Sequence, residues 1–175
     1  MPSEPVPRLT TSRLYLRPLA TSDVDAYAAM MSDPEVTRYL GDGRPLSRAD
    51  AWRQLALLIG HWELRGFGMW GVEERETGRF LGRIGCYQPE GWPGFEIGYA
   101  LARDAWGRGY AREGAAAALT FAQQVLRREE VISIIRPENA ASIAVAASLG
   151  ARRTRRIEFY GGESVIYTYP QWLNA

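Results

Sequence analysis

The sequence contains no lysine, because all 21 of its basic residues are arginine. This absence excludes Walker A nucleotide sites, Schiff-base enzymes and Ser-x-x-Lys acyl enzymes, since each needs a lysine amine. A single histidine, His61, excludes zinc sites built from two or three imidazoles. A single cysteine, Cys86, excludes disulfides and cysteine-cluster metal sites. We therefore expect no metal, and a protein of the reducing cytoplasm.

The charge balance and the lack of long apolar runs limit the partners. The 21 basic residues face 20 acidic ones, giving a net charge of +1. This balance argues against direct nucleic-acid binding and against a polybasic membrane contact. No stretch approaches the ~18 apolar residues of a membrane span, and the proline-containing segment 1–7 does not read as a signal peptide. The 175 residues predict a flexible tail over 1–10 and one domain over 11–175.

Hydrophobic periodicity and turn residues predict an α+β chain in the order β-α-α-β-β-β-α-β-α-β-β. Because three strands follow one another in the middle, the chain is not an alternating doubly wound fold. Strands are predicted over 13–19, 68–74, 79–87, 95–101, 131–135, 153–159 and 163–169. Helices are predicted over 21–31, 47–64, 109–127 and 139–149.

Two glycine motifs have different contexts. Residues 66–71 match G-x-G-x-x-G, but a predicted helix precedes them and a strand follows. A dinucleotide-binding loop needs the opposite order, so we interpret 66–71 as a helix-to-strand turn. Residues 106–113 (WGRGYARE) follow a predicted strand and open a helix. There, backbone N–H groups at the positive end of a helix dipole suit a phosphate or pyrophosphate.

Arginines flank this second motif at positions 103, 108 and 112. They would add charge-assisted contacts to a bound phosphate. The spacing alone is equally compatible with a tight strand-to-helix connection whose arginines are solvated.

The second motif resembles motif A of the GNAT N-acetyltransferase superfamily, [QR]-x-x-G-x-[GA], with Trp106 at the Gln/Arg position. The W-G-x-G-Y-A form is similar to the RimJ/RimL branch, the ribosomal-protein N-terminal acetyltransferase type. Three further segments fit that branch in the same order: TSRLYLRPL at 11–19, FEIGYAL at 95–101 and NAASIAVAASLGA at 139–151.

The resemblance implies a GNAT fold. This is a mixed, mostly antiparallel sheet of six to seven strands with helices on both faces and a splayed central parallel strand pair. It also implies acetyl-CoA as cosubstrate and direct acetyl transfer to a primary amine, on a protein N-terminus or a small molecule. The cofactor-binding residues would be Tyr99, Leu101, Arg103, Trp106, Gly107, Arg108, Gly109, Tyr110, Ala111, Arg112, Asn139 and Ser142.

Glu96 and Ser142 are the candidate catalytic residues. The family often places a general base on the strand of Glu96. An equal alternative is that Glu96 pairs with an arginine or orders a strand edge. The motif-B tyrosine of many members is replaced by Ala146, which leaves Ser142 as the acid or only as a cofactor ligand. Asn139 is either a helix N-cap or a pantetheine ligand. The resemblance further places an oxyanion donor among the backbone N–H groups near Tyr99–Leu101.

The acceptor pocket is expected between the second helix, the 66–70 turn, the 87–94 loop and the final hairpin. The aromatic residues there suit an apolar or cationic acceptor, or equally an ordinary core: Trp52, Trp62, Trp70, Tyr87, Trp92 and Tyr160. The acidic residues there suit an amine: Glu63, Glu90, Glu96 and Glu163. We interpret Cys86 as core, His61 as surface or cleft rim, and the arginines of 152–156 as a solvated strand face, with an acidic partner as the alternative.

Two other classes of function stay open. A CoA-binding regulatory or interaction module without catalysis would also fit the missing motif-B tyrosine. An acid-base hydrolase built on Glu96 has little support, because the sequence has no Gly-x-Ser-x-Gly motif and no paired carboxylates. Neither the acceptor amine nor a homodimer is decided by the sequence.

Overall fold

A computed structural model describes residues 5–171. Its centre is an eight-stranded sheet in the order β1-β2-β3-β4-β5-β6-β8-β7, in which only the β5–β6 pair is parallel. The strands are β1 (Leu9–Thr10), β2 (Leu14–Arg17), β3 (Met69–Glu74), β4 (Phe80–Tyr87), β5 (Glu96–Leu101), β6 (Ile132–Ile135), β7 (Arg152–Phe159) and β8 (Gly162–Thr168). The predicted mixed sheet is confirmed, and β1 is a strand beyond those predicted.

Five α-helices flank the sheet. They are α1 (Val24–Met31), α2 (Pro34–Thr37), α3 (Arg48–Arg65), α4 (Tyr110–Thr120) and α5 (Ala140–Ser148). No helix within residues 5–171 is long and apolar enough to cross a membrane.

The helix ends follow local chemistry. The Ser47 side chain accepts a hydrogen bond from the Asp50 backbone N–H at 3.1 Å, which caps the start of α3. Gly66 ends α3 in the left-handed conformation, with φ of 73°. Gly68 follows where an added Cβ would approach the Trp62 ring to 2.6 Å. The 66–71 motif is therefore the predicted helix-to-strand turn.

Two hydrophobic clusters lie on opposite faces of the sheet. Strand residues alternate between faces, so Trp70 joins the cluster of α4 and α5 while Met69 joins that of α1 and α3. Cys86 is fully buried in the first cluster, as predicted.

The parallel pair forms a fork. β5 and β6 share one register pair, Glu96 with Ile132, beyond which the strands are no longer paired. The Ser133 hydroxyl donates to the Ile97 carbonyl at 2.6 Å, and the Ile134 N–H donates to Glu96 Oε1 at 3.1 Å. Side chains thus take the hydrogen bonds that a continued ladder would have made, and the predicted splay is present.

Two predicted elements differ in detail. The helix expected over 109–127 is α-helical only to Thr120, and Phe121–Val125 is a π-helical turn. Part of the expected N-terminal tail forms β1, which pairs with β2, while residues 1–4 of that tail lie outside the described part.

Candidate active site

The segment between β5 and α4 gathers backbone N–H groups at one point. Gly107 and Gly109 adopt left-handed φ values of 72° and 79°, which glycine tolerates best. Gly109 is the N-cap of α4 and offers no side chain to the free N–H groups of the first turn. These N–H groups and the helix dipole form a site suited to a phosphate or pyrophosphate.

A groove of about 440 Å³ leads away from this helix terminus. All the predicted cofactor-binding residues line it except Arg103 and Arg108: Tyr99, Leu101, Trp106, Gly107, Gly109, Tyr110, Ala111, Arg112, Asn139 and Ser142. The opposite wall comes from 35–40, which includes the end of α2.

The lining explains the roles of Trp106 and Arg108. The Trp106 indole N–H donates to the Leu101 carbonyl at 2.8 Å, so the side chain at the Gln/Arg position of the motif ties the loop to β5. The Arg108 guanidinium lies 3.5 Å from Glu74 and stacks over Tyr110, outside the groove. Of the three arginines expected at the phosphate, only Arg112 lines the groove.

A second cavity of about 490 Å³ lies deeper in the molecule. It meets the groove at shared lining residues, which are Tyr39, Leu40, Tyr99, Asn139 and Ser142. Two ligands could therefore enter by separate openings and meet beside β5.

Glu96 lies in this deeper cavity and is only 9 % exposed. Burial raises the pKa of Glu96 to about 7, although hydrogen bonds from Ile134 N–H and Trp92 Nε1–H favour the ionised form. No carboxylate–arginine ion pair within residues 5–171 includes Glu96, so the alternative of an arginine partner for Glu96 is wrong. A carboxyl group with a pKa near 7 can accept a proton at neutral pH.

Ser142 and Asn139 lie where the two spaces meet. Asn139 Oδ1 accepts the Ser142 backbone N–H at 3.1 Å, so Asn139 caps α5 and also faces both spaces. The Tyr99 hydroxyl donates to the Ser142 carbonyl at 3.1 Å, and burial raises the pKa of Tyr99. This contact fixes β5 against α5 beside the fork.

The backbone of β5 presents one N–H group to the fork. Because N–H groups alternate along a strand, Tyr99 points to the same side as Ile97, whose carbonyl faces β6. The β5–β6 register ends before Tyr99, so its N–H is not taken by the ladder. This N–H is therefore directed into the fork.

The acceptor pocket differs from the expectation in its aromatic residues. Tyr87, Trp92 and Tyr160 line the deeper cavity, as predicted. Trp62 and Trp70 instead pack against each other in the core at 5.0 Å, and neither lines the cavity. The other expected members outside the lining are Trp52, Glu63, Glu90 and Glu163.

His61 is buried, and the prediction of a surface or rim position is wrong. Its Nδ1 lies 2.7 Å from the Phe67 carbonyl, and its Nε2 accepts the Gln88 N–H at 3.2 Å. Burial lowers the pKa of His61, because the charged imidazolium is poorly solvated there. His61 thus connects the end of α3 to the loop after β4.

Residues 37–46 line the deeper cavity and were not predicted to do so. They contribute Tyr39, Leu40 and two charged residues, Asp42 and Arg44. The segment has no helical or strand periodicity, so sequence patterns gave no signal for its position. Arg83 and Arg136 also line the cavity and were not singled out from the sequence.

Comparisons with known proteins identify the family of the chain. Residues 13–152 match the family described as Acetyltransferase (GNAT) domain. The Bacillus subtilis protein YkkB, which is uncharacterised, is 32 % identical over 91 % of this chain and 94 % of its own length. The Aspergillus fumigatus FsC-acetyl coenzyme A-N(2)-transacetylase is 32 % identical over 82 % of this chain and 64 % of its own length.

A crystal structure of an acetyltransferase from Agrobacterium tumefaciens has the same fold. It aligns with a TM-score of 0.86 and 33 % identity, over 96 % of each chain. Together with the family match, this likeness shows that the chain belongs to the GNAT family of N-acetyltransferases, whose cosubstrate is acetyl-CoA.

Proposed function

We propose that this chain transfers the acetyl group of acetyl-CoA directly to a primary amine, with Glu96 as the general base. The observation that carries the proposal is the buried Glu96 carboxyl in a cavity that meets a phosphate-suited groove at Tyr99, Asn139 and Ser142. The acceptor is a protein N-terminus or a small amine.

The groove suits the cosubstrate from end to end. The glycine-rich start of α4 would bind the pyrophosphate, with Arg112 adding a charge-assisted contact. The pantetheine arm would lie in the fork and pair with the free backbone of β5 like an added strand. Asn139 and Ser142 would contact it where the groove meets the cavity.

Three events make up the transfer. Glu96 accepts a proton from the incoming ammonium, through water, so that a neutral amine can attack the thioester carbon. A C–N bond forms while the oxyanion accepts the Tyr99 backbone N–H. The C–S bond then breaks while the nitrogen loses its second proton, giving the acetylated amine and CoA thiol. The Ser142 hydroxyl would pass that proton from the nitrogen to the sulfur.

The RimJ/RimL-like segments at 11–19 and 139–151 support a protein N-terminus as acceptor. The aromatic wall of the deeper cavity supports a small amine instead, because Tyr87, Trp92 and Tyr160 offer apolar contacts to a compact acceptor. A panel of N-terminal peptides and small amines distinguishes them by which one releases CoA thiol.

The experiment that tests the proposal has a binding part and a chemical part. Acetyl-CoA at about 100 times its Kd should stabilise the chain by about 2.7 kcal/mol, which a thermal unfolding curve detects. Thiol release should then depend on an amine. Stabilisation without thiol release from any amine would identify a CoA-binding module, and no stabilisation would contradict both functions.

A further inference from the structure

The floor of the deeper cavity is formed by facing residues of β4 and β5. Tyr87 pairs with Glu96, and Arg83 pairs with Ala100, so Arg83 and Glu96 project from the same face of the sheet. They are separated by four residues along the strands, or ~13 Å of backbone. Gly98 lies between them, and the Met69 side chain covers it, so that a Cβ at Gly98 would lie 2.8 Å from Met69 Cε.

Arg83 is a half-buried cation without a carboxylate partner. Its Nε is buried and has no hydrogen-bond partner, and none of the ion pairs in the described chain involves its guanidinium. Burial raises the pKa of both Tyr87 and Glu96, and the charge of Arg83 opposes the rise in each. Burying an arginine without an anion is costly, so its retention in a cavity needs an explanation.

The cavity as a whole has an excess of positive charge. Its lining contains Arg44, Arg83 and Arg136 against Asp42 and Glu96. Arg44 and Asp42 lie 3.9 Å apart at the exposed mouth.

The two remaining arginines of the lining, Arg136 and Arg83, differ in their partners. The Arg136 guanidinium donates to the carbonyls of Glu163 and Tyr160, at 3.2 and 3.1 Å. The Arg83 side chain lies against the neutral Tyr27 hydroxyl. Because none of the ion pairs within residues 5–171 gives Arg83 a carboxylate, its charge is the one that a ligand would balance.

We propose that the acceptor is a small primary amine that also carries an anionic group, of the carboxylate or phosphonate class, and that Arg83 binds this group. The inference rests on the proposed function and extends it to the substrate class. A simple ammonium would be repelled by the excess of guanidinium groups, whereas an amino acid brings its own compensating charge. With the anion at Arg83, the amine is directed along the Gly98 floor toward Glu96.

The remaining wall indicates the body of the acceptor. Trp92 contacts Tyr87 and Phe159 at centroid distances of 4.9 Å each. Such a wall accommodates an apolar or aromatic side chain that branches from the carbon bearing the amine and the anionic group. Aromatic amino acids are therefore the first compounds to try.

The test compares acceptors that differ only in the anionic group. L-phenylalanine, its phosphonate analogue, L-phenylalaninamide and phenethylamine are assayed for acetyl-CoA-dependent thiol release. The kcat/KM for L-phenylalanine and for its phosphonate analogue should be at least tenfold above that for L-phenylalaninamide and phenethylamine. The ratio of kcat/KM between the carboxylate and the phosphonate then identifies the preferred anion. Equal use of all four compounds would overturn the inference.

Variants locate the anion site. Arg83→Gln should raise KM for L-phenylalanine at least tenfold with a much smaller change in kcat. It should not raise KM for phenethylamine, because it removes a charge that repels a simple ammonium. Arg83→Lys should recover part of the loss. Arg48→Gln is the matched control, because Arg48 pairs with Asp25 on the surface and does not line the cavity. An Arg83→Gln variant with an unchanged KM would contradict the assignment.

A binding measurement separates this inference from the proposed function. 3-Phenylpropanoate has the carboxylate but no amine, so it cannot be acetylated. It should bind the wild-type chain and the Arg48→Gln variant, and bind Arg83→Gln at least tenfold more weakly. Acetyl-CoA stabilisation in each variant shows that the fold is retained. Binding unaffected by Arg83→Gln would overturn the inference even if acetyl transfer is demonstrated.

Discussion

Glu96 is the residue whose protonation should control the reaction. Burial is the main cause of its raised pKa, of about 7, so the carboxyl is only partly ionised at neutral pH. A general base must be ionised to act. Activity should therefore rise with pH through about 7, provided that no other group limits it first.

Glu96→Gln should lower kcat about 100-fold or more and remove this rise, while leaving the Kd of acetyl-CoA nearly unchanged. Glu63→Gln is the matched control, since Glu63 is exposed on α3. Steady-state kinetics from pH 5 to 9 measure both effects. An identical profile in Glu96→Gln would mean that another group accepts the proton.

The same carboxyl should make stability depend on pH. The pKa of Glu96 lies near 7 when folded but near 4.5 when unfolded, so the folded chain holds the extra proton between those values. The contribution of Glu96 to the free energy of unfolding has its full value below pH 4.5. It falls as pH rises toward 7, by on the order of 3 kcal/mol. The free energy of unfolding, measured with urea at several pH values, should show this fall in the wild type. The fall should be absent in Glu96→Gln.

Cys86 should be inert in the folded protein. It is fully buried, and burial raises the pKa of its thiol, so little thiolate is present or accessible. Ellman's reagent should react with the unfolded chain and leave the native one unmodified for as long as it stays folded. Rapid modification under native conditions would show that this part of the sheet opens.

At the scale of elements, the start of α4 should bind the cosubstrate through its backbone. Gly107→Ala places a side chain at φ of 72° and should cost about 1–2 kcal/mol of stability. It should also raise the Kd of acetyl-CoA, because the loop N–H groups move. Gly78→Ala is a close control, since Gly78 has φ of 71° and equally open surroundings in the β3–β4 turn.

Calorimetric titration of both variants separates strain from binding. We expect a similar loss of stability in each and a weaker affinity only in Gly107→Ala. If both variants bind acetyl-CoA like the wild type, the helix terminus does not hold the phosphates.

Elements with local signals could be predicted from the sequence. The cap at Ser47, the stop at Gly66 and the motif at 106–111 each depend on a few neighbouring residues. The π-helical turn at 121–125 could not be predicted, because its residues fit an α-helix equally well.

The candidate site could be predicted only in part. Glu96, Ser142 and Asn139 were found through motif resemblance, whereas the contributions of 37–46 and Arg83 depend on long-range packing. Alternation along β4 could have placed Arg83 and Tyr87 on one face, but it could not have shown that this face is hollow.

On the scale of the molecule, β7 is one exposed edge of the sheet. Arg152, Arg153, Arg155 and Arg156 are all exposed on it, which confirms the predicted solvated strand. Charged residues on an edge discourage pairing with another sheet, because association would bring like charges together.

Removing this charge should promote self-association. The double variant Arg153→Val, Arg155→Val should associate at concentrations where the wild type stays unchanged, as measured by light scattering. Arg48→Val, at an exposed position on α3, controls for the added apolar surface. Equal behaviour of the two variants would show that the edge does not need its charge.

The fork between β5 and β6 is held open by the chain itself, through the hydrogen bonds of Ser133 to Ile97 and of Ile134 to Glu96. The space that we propose for the pantetheine arm is consequently preorganised. Binding then spends little free energy on ordering the backbone, and the free and bound strands should agree within about 1 Å. Association should accordingly proceed in one kinetic phase, without a slow conformational step.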